Sequence, residues 1–152
     1  MSAEHPNASL PVFVGIDAPG VDVLLRTFRR RNAAEGEWIL SEDETTQELF
    51  CVLSGGVEVL RNTPAGPRNI AIVKPGYCFG EVGFFAGEPR TASVRAVAPT
   101  ELLSMQQADL HRLIEEHPRI AALFLRNLLA VVTGRFAEMH TQLAQIVFWL
   151  GA

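Results

Sequence analysis

Between residues 38 and 105 the chain advances in short apolar runs rich in Val, Ile, Leu, Phe and Thr, interrupted at close intervals by Gly, Pro, Asn and Ser. This texture excludes helices of ordinary length over the middle of the chain. It predicts many short strands joined by tight turns. The predicted strands are Trp38–Leu40, 49–53, 57–60, 69–73, 93–97 and 101–105. Ser54-Gly55-Gly56 offers the positive φ angles that a hairpin turn requires, and residues 62–67 read as a longer hairpin loop. Many short strands with regular turns indicate a barrel or a sandwich.

On either side of this region the period lengthens to that of a helix. Val21, Leu24, Leu25 and Phe28 recur at helical spacing, with acidic Asp22 early and arginines late, as the helix dipole prefers. A short amphipathic helix over 21–30 follows, with Arg29-Arg30-Arg31 as its solvated end. Residues 1–18, which contain Pro6 and Pro11, have little period and form a lead-in to a domain over 19–152. After Met105, residues Leu110, Leu113 and Ile114 mark one face of a helix that stops before Pro118. Pro118 suits the first turn of the next helix, which meets no further proline up to Leu150, giving a long C-terminal helix over 118–150. Along it Ala121, Leu125, Leu128, Val132, Arg135, Met139, Leu143, Ile146 and Leu150 keep close to a heptad spacing. A helix this long overhangs a domain of this size, so the stripe predicts a homodimer seam, with Phe148 and Trp149 also needing cover. The expected class is mainly β with flanking helices.

Length and composition bound the function. The 152 residues, 48% hydrophobic and 20% charged, suffice for one globular domain without disulfides. A net charge of −4 gives no reason to expect a nucleic-acid partner. Cys51 and Cys78 lie in apolar segments outside any metal-ligand spacing and read as small core residues, consistent with a reducing cytoplasm. The N-terminus has no signal-peptide pattern, and no uninterrupted apolar run reaches about 18 residues, so no membrane anchor is expected. The histidines His5, His111, His117 and His140 fall in the lead-in or on helices. A cupin-type metal site needs them on strands, and no Ser/Cys/His set suggests a nucleophile, so neither catalysis nor a bound metal is expected.

The segment that carries chemistry is 79–94. Gly80 and Gly83 flank Glu81, which lets the backbone approach a ligand, and a short helical turn after them would present N–H groups as an anion cradle. Arg90 adds a guanidinium fork. A guanidinium holds a phosphate through two parallel charge-assisted bonds, and a carboxylate accepts from a ribose hydroxyl, so a sugar phosphate satisfies both. The bland reading is an ordinary Glu81–Arg90 loop ion pair.

The run Phe79-Gly80-Glu81, an apolar stretch, then Pro89-Arg90-Thr91-Ala92-Ser93-Val94 resembles the phosphate-binding cassette of cyclic nucleotide-binding domains, as found in protein kinase A regulatory subunits, cyclic nucleotide-gated channels and catabolite activator proteins. Gly36, Leu53-Ser54-Gly55 and Pro75-Gly76 extend the likeness, which covers roughly residues 20–140. The resemblance implies a jelly-roll β-barrel with a short N-terminal helix and a long C-terminal one. It implies a ligand, cAMP or cGMP, and no cofactor. Glu81 would take the ribose 2′-hydroxyl and Arg90 the cyclic phosphate, with backbone N–H groups of Gly80, Val82 and Ala92 assisting; Phe79, Gly83 and Thr91 complete the ligand set. Thr91 is compatible with either nucleotide, and cAMP is favoured. Thr133 and Arg135 fall where a lid contact with the purine would come, although an inter-subunit salt bridge competes for Arg135.

The chain also departs from the family pattern. Asp43-Glu44 stands where many members have Gly before an acidic residue, which predicts a more strained or longer turn, and Phe84 and Phe85 replace smaller residues, with rings expected in the core. The nine-residue interval from Glu81 to Arg90 matches kinases and channels more than the activator. Met1 suggests a natural start, and the chain stops at Ala152, where activator relatives continue into a DNA-binding domain. The reading is a cyclic nucleotide sensor that moves its C-terminal helix and signals to an effector protein. The alternative is a protein-interaction module that no longer binds nucleotide.

Overall fold

The computed structural model describes residues 6–151; residues 1–5, which include His5 and the start of the lead-in, and Ala152 lie outside the described residues. Eight strands form two antiparallel four-stranded sheets. They are β1 (Arg29–Ala33), β2 (Trp38–Leu40), β3 (Leu49–Ser54), β4 (Val57–Thr63), β5 (Gly66–Val73), β6 (Cys78–Phe79), β7 (Ser93–Ala96) and β8 (Thr100–Met105). One sheet runs β1-β8-β3-β6 and the other β2-β7-β4-β5. The expected jelly-roll barrel is therefore two sheets that are not closed upon each other, since each keeps two edge strands.

Strands β3, β6 and β8 of the first sheet are buried on both faces, and β1 is its exposed edge. Phe50, Val52 and Leu102 point between the sheets to join Ile39, Leu40, Val57, Val73, Phe79, Val94 and Ala96. Their neighbours Leu49, Cys51, Leu103 and Met105 point the other way, into a second cluster built with the helices. Two-faced burial explains why β3 reads as the unbroken apolar run Leu49-Phe50-Cys51-Val52 instead of alternating. The second sheet has one face in solvent. There Arg95 of β7 donates from Nε to Glu58 Oε1 of β4 at 2.8 Å and lies 4.9 Å from the Trp38 ring. That bond to Arg95, with a second from Asn69, holds the Glu58 carboxyl below its usual range.

Helices cover the outer face of the first sheet: α1 (Ala18–Thr27), α2 (Glu81–Ala86), α3 (Gln107–Glu116) and α4 (Pro118–Trp149). Asp17 caps α1 by accepting from Gly20 N at 2.9 Å. The helix ends three residues before the predicted limit because Phe28 turns extended to bury its ring, 5.6 Å from Phe124 of α4. Arg29-Arg30-Arg31 is consequently not a helix end. It forms the charged edge strand β1, which blunts pairing with another chain. The lead-in is also more ordered than its lack of period suggested. Val12 and Phe13 sit in a short 3-10 turn and are buried, and Asn127 of α4 donates to Val12 O at 3.0 Å and Val14 O at 2.8 Å.

Only the first half of α4 packs on the body, through Ala121, Phe124, Asn127, Leu128 and Val131. By length and composition alone this helix is apolar enough to cross a membrane, which an uninterrupted-run test does not detect. Most of its exposed large apolar residues fall on one line: Leu129, Val132, Phe136, Met139, Leu143, Ile146 and Leu150 alternate by three and four, all but the half-buried Val132 exposed, while exposed Val147, Phe148 and Trp149 lie off that line. The predicted seam mixed two faces. Ala121 and Leu128 belong to the face on the body, and Arg135 to a third direction described below.

Cys51 and Cys78 are buried as expected, but they are not free: directly opposite across β3 and β6, with Cα atoms 4.1 Å apart, they are joined in a disulfide. A disulfide is uncommon in a reducing compartment, so the pair is at odds with that reading of the cysteines. Reduction of this bond, which closes a 27-residue separation, is expected to lower Tm by on the order of 5 °C or more. Scanning calorimetry with and without a phosphine reductant checks this, and an unchanged Tm would mean that the sulfurs are not bonded in solution.

Candidate functional site

The two-residue strand β6 brings the chain to the open edge of the inner core, and Gly80, at φ 82°, turns it sharply into α2. A Cβ at Gly80 would lie 2.9 Å from the Arg90 Nη1, and one at Gly83 would lie 2.7 Å from it. The two glycines therefore have a definite physical reason: they leave room for a guanidinium. Phe84 N is the first amide of α2 to bond within the helix, to Gly80 O at 3.1 Å. The amides of Glu81, Val82 and Gly83 precede it.

Arg90 is buried to 4% exposure. Its Nη1 donates to Gly80 O and its Nη2 to Glu48 O, each at 2.8 Å, while Nε donates to Thr46 Oγ1 at 3.3 Å. Each terminal nitrogen keeps a second N–H beyond these bonds. Burial lowers the Arg90 pKa from its ordinary value, and the Glu44, Glu48 and Glu81 carboxylates oppose that shift. The main chain of Arg90 is held equally firmly: Asp43 N donates to Arg90 O at 2.9 Å and Arg90 N to Glu44 O at 2.8 Å. Asp43 makes this turn at φ 71°, the strained conformation expected where relatives carry glycine.

Facing the guanidinium is Glu81. Its Oε1 lies 3.3 Å from Arg135 Nη1, and Arg135 Nη2 donates to Cys78 O, so α4 is tied to both sides of the turn. Arg135 pairs within its own chain and does not wait on the seam for a partner. Thr133 does not join it, because its hydroxyl bonds back to Leu129 O at 2.8 Å on an exposed face.

The cavity these groups enclose measures about 100 Å³. All eight cassette residues predicted from sequence line it: Phe79, Gly80, Glu81, Val82, Gly83, Arg90, Thr91 and Ala92. Arg135 joins them. The sequence reading left Leu40 and Val59 out, and Val94 out of the ligand set although it closes the quoted cassette; these three make the apolar wall, and alternation marks such residues as core without saying which end of the core is open. It also missed Thr46 and Glu48, which act through Arg90. Phe84 enters the core as expected, but Phe85 turns outward, and neither ring narrows the cavity. Among the described residues no group of His, Cys, Asp and Glu could hold a metal ion. What the cavity offers is one buried cation with N–H groups to spare, one carboxylate and an apolar wall.

Comparison with known proteins agrees with this geometry. The family model described as cyclic nucleotide-binding domain matches residues 30–117. The cyclic AMP receptor protein of Thermus thermophilus is 34% identical over 91% of this chain and 62% of its own length. A CRP-like cAMP-activated global transcriptional regulator of Mycobacterium tuberculosis is 27% identical over 90% of this chain and 60% of its own. A crystal structure of a cyclic nucleotide-binding domain from Methylobacillus flagellatus superposes with a TM-score of 0.80 at 28% identity, covering 88% of this chain and 75% of that one. The chain thus spans about three-fifths of the two curated relatives, and neither is named as an enzyme. One is named as a transcriptional regulator, so the expectation of no nucleic-acid partner does not extend from these residues to a longer protein. On the family match, the structural likeness and the cassette geometry together, this chain belongs to the cyclic nucleotide-binding domain family.

Proposed function

We propose that the chain is a cyclic nucleotide sensor that takes cAMP in preference to cGMP and signals by moving α4. The observation that carries this is the convergence of Glu81, Arg90, Arg135 and the glycine-bearing turn Gly80–Gly83 on one cavity. In this reading Arg90 holds the cyclic phosphate through the N–H groups its carbonyl partners leave over, and Glu81 accepts from the ribose 2′-hydroxyl. The amides of Gly80, Val82 and Ala92 and the Thr91 hydroxyl assist at the phosphate.

A cavity of about 100 Å³ is too small for such a ligand, since pockets that enclose one run to roughly 300 Å³ or more. Entry therefore requires something to give. The bond from Arg135 to Glu81 closes the cavity on the α4 side and competes with the ribose for the same carboxylate. Exchange of Arg135 for ribose at Glu81 releases α4 from the cassette, which converts occupancy into helix movement.

The exposed heptad line of α4 supports a homodimer, with the second helix covering residues from Leu129 to Leu150. Its strict alternation of three and four suits a helical partner better than a membrane, for which the whole circumference would be apolar. Polar Glu138, Thr141, Gln142 and Gln145 occupy the remaining face. The sensor passes its state to an effector protein.

Titration calorimetry of the purified chain with cAMP and cGMP, with 5′-AMP as control, is expected to show the tighter binding with cAMP. Arg90→Leu should weaken that binding at least about 30-fold, the loss of charge-assisted bonds to a buried phosphate. Unchanged affinity in the variant, or no binding of either cyclic nucleotide, overturns the sensor reading. Phe136→Glu with Leu143→Glu, both on exposed positions, should turn a dimer into a monomer by sedimentation equilibrium, and an unchanged mass retires the seam.

A further inference from the structure

A second cavity lies away from the cassette. It is a cleft of about 380 Å³ between α1, the start of β1 and α3. Its floor is apolar, made by Val23, Phe28 and Leu113. Its rim is cationic, and the cations come from three separate elements: Arg26 ends α1, Arg29 opens β1, and Arg112 lies on α3, with His117 just beyond.

The acidic groups of the cleft are Asp109 and Glu116. Asp109 is nearly fully buried and already engaged, accepting from Arg112 Nη2 at 2.6 Å and from Gln106 N at 2.9 Å, where it completes the capping box of α3. Glu116 is exposed and holds no ion pair among the described residues. Arg26 and Arg29 likewise have no carboxylate within ion-pair distance among the described residues, whereas Arg30, pointing the other way from the same strand, pairs with Glu101. Counting Arg26, Arg29 and Arg112 against Asp109 and Glu116 leaves the cleft at +1 with His117 neutral, on a chain whose net charge is −4. Cations gathered from three elements over an apolar floor, two of them without a carboxylate in ion-pair distance among the described residues, form the converse of a solvated charged face.

We infer that this cleft is a second ligand site, for a small phosphorylated molecule, separate from the cassette. The guanidinium groups of Arg26 and Arg29 match the oxygens of a phosphoryl or pyrophosphoryl group in paired bonds, Arg112 and His117 add donors from the opposite wall, and the floor accepts an apolar or planar remainder. The volume falls in the range of small-molecule pockets and is too confined for an extended acidic chain. Because α3 joins the sheets to α4, the occupant bridges α1 to the segment from which the long helix departs.

Calorimetric titration of the 152-residue chain with inorganic pyrophosphate and with ADP tests this. Both are expected to bind, and Arg26→Glu with Arg29→Glu is expected to weaken binding about tenfold or more. All the altered residues of that pair are exposed, so the fold is kept, and far-ultraviolet circular dichroism verifies it. Arg90→Lys, at a side chain that does not line the cleft, is expected to leave the pyrophosphate affinity within about twofold, which separates this site from the proposed sensor pocket. Arg30→Glu with Arg61→Glu changes the net charge equally outside the cleft and should have little effect. Absence of binding by both probes, an equal loss in the Arg30/Arg61 control, or a loss confined to Arg90→Lys would each overturn the assignment.

Discussion

The buried guanidinium of Arg90 is the interaction on which the rest of this site depends. Taking a charge out of water costs several kcal/mol unless it is bonded on most sides. Here Gly80 O, Glu48 O and Thr46 Oγ1 are the bonding oxygens, and three carboxylates lie near enough to favour the charged form. Those oxygens belong to the cassette turn and to the loop that enters β3, so one side chain fixes two irregular segments. Both of its glycine neighbours follow from that. A methyl group at either would occupy the space of Nη1. Even the positive φ of Asp43 belongs to the same arrangement, since its amide and that of Arg90 bond across the loop.

The two sheets divide the remaining work. Strands β3, β6 and β8 of the β1-β8-β3-β6 sheet are buried on both faces, so they are anchored by helices as well as by the facing sheet. The cassette grows from β6, the edge of that rigid layer, and closes against Val59 and Val94 of the layer that has a free face. The cavity is bounded by a buried strand on one side and, through the Glu81–Arg135 pair, by a helix packed only over its first half on the other.

How far the sequence reveals this varies with the kind of signal. The cassette was legible because its chemistry is concentrated in sixteen consecutive positions, residues 79–94, and all eight of the residues singled out there line the cavity. Strands with apolar alternation or apolar runs were also legible, to within two or three residues for most. β6 was not, since two residues carry no period, and β1 was not, since its residues Arg29-Arg30-Arg31-Asn32 are polar and become a strand only by pairing with β8. Val12 and Phe13 were hidden in a proline-bearing lead-in because their burial depends on Asn127, more than 110 residues away. The disulfide partners are 27 residues apart, and only the β3–β6 register places them opposite each other.

The long helix shows why a single stripe was the wrong description of it. An ideal helix drifts about 20° per heptad, so one apolar set cannot serve both a globular body and a straight seam along 32 residues. The helix resolves this by using different directions at different heights. Leu128 and Val131 face the body, Leu129 faces solvent, Val132 packs at the edge of the core, and Arg135 points to the cassette, all within eight positions. Body, exposed apolar line and pocket therefore meet at the same two turns of α4. The Arg135–Glu81 contact sits at the point where the helix leaves the body, ahead of its whole exposed half.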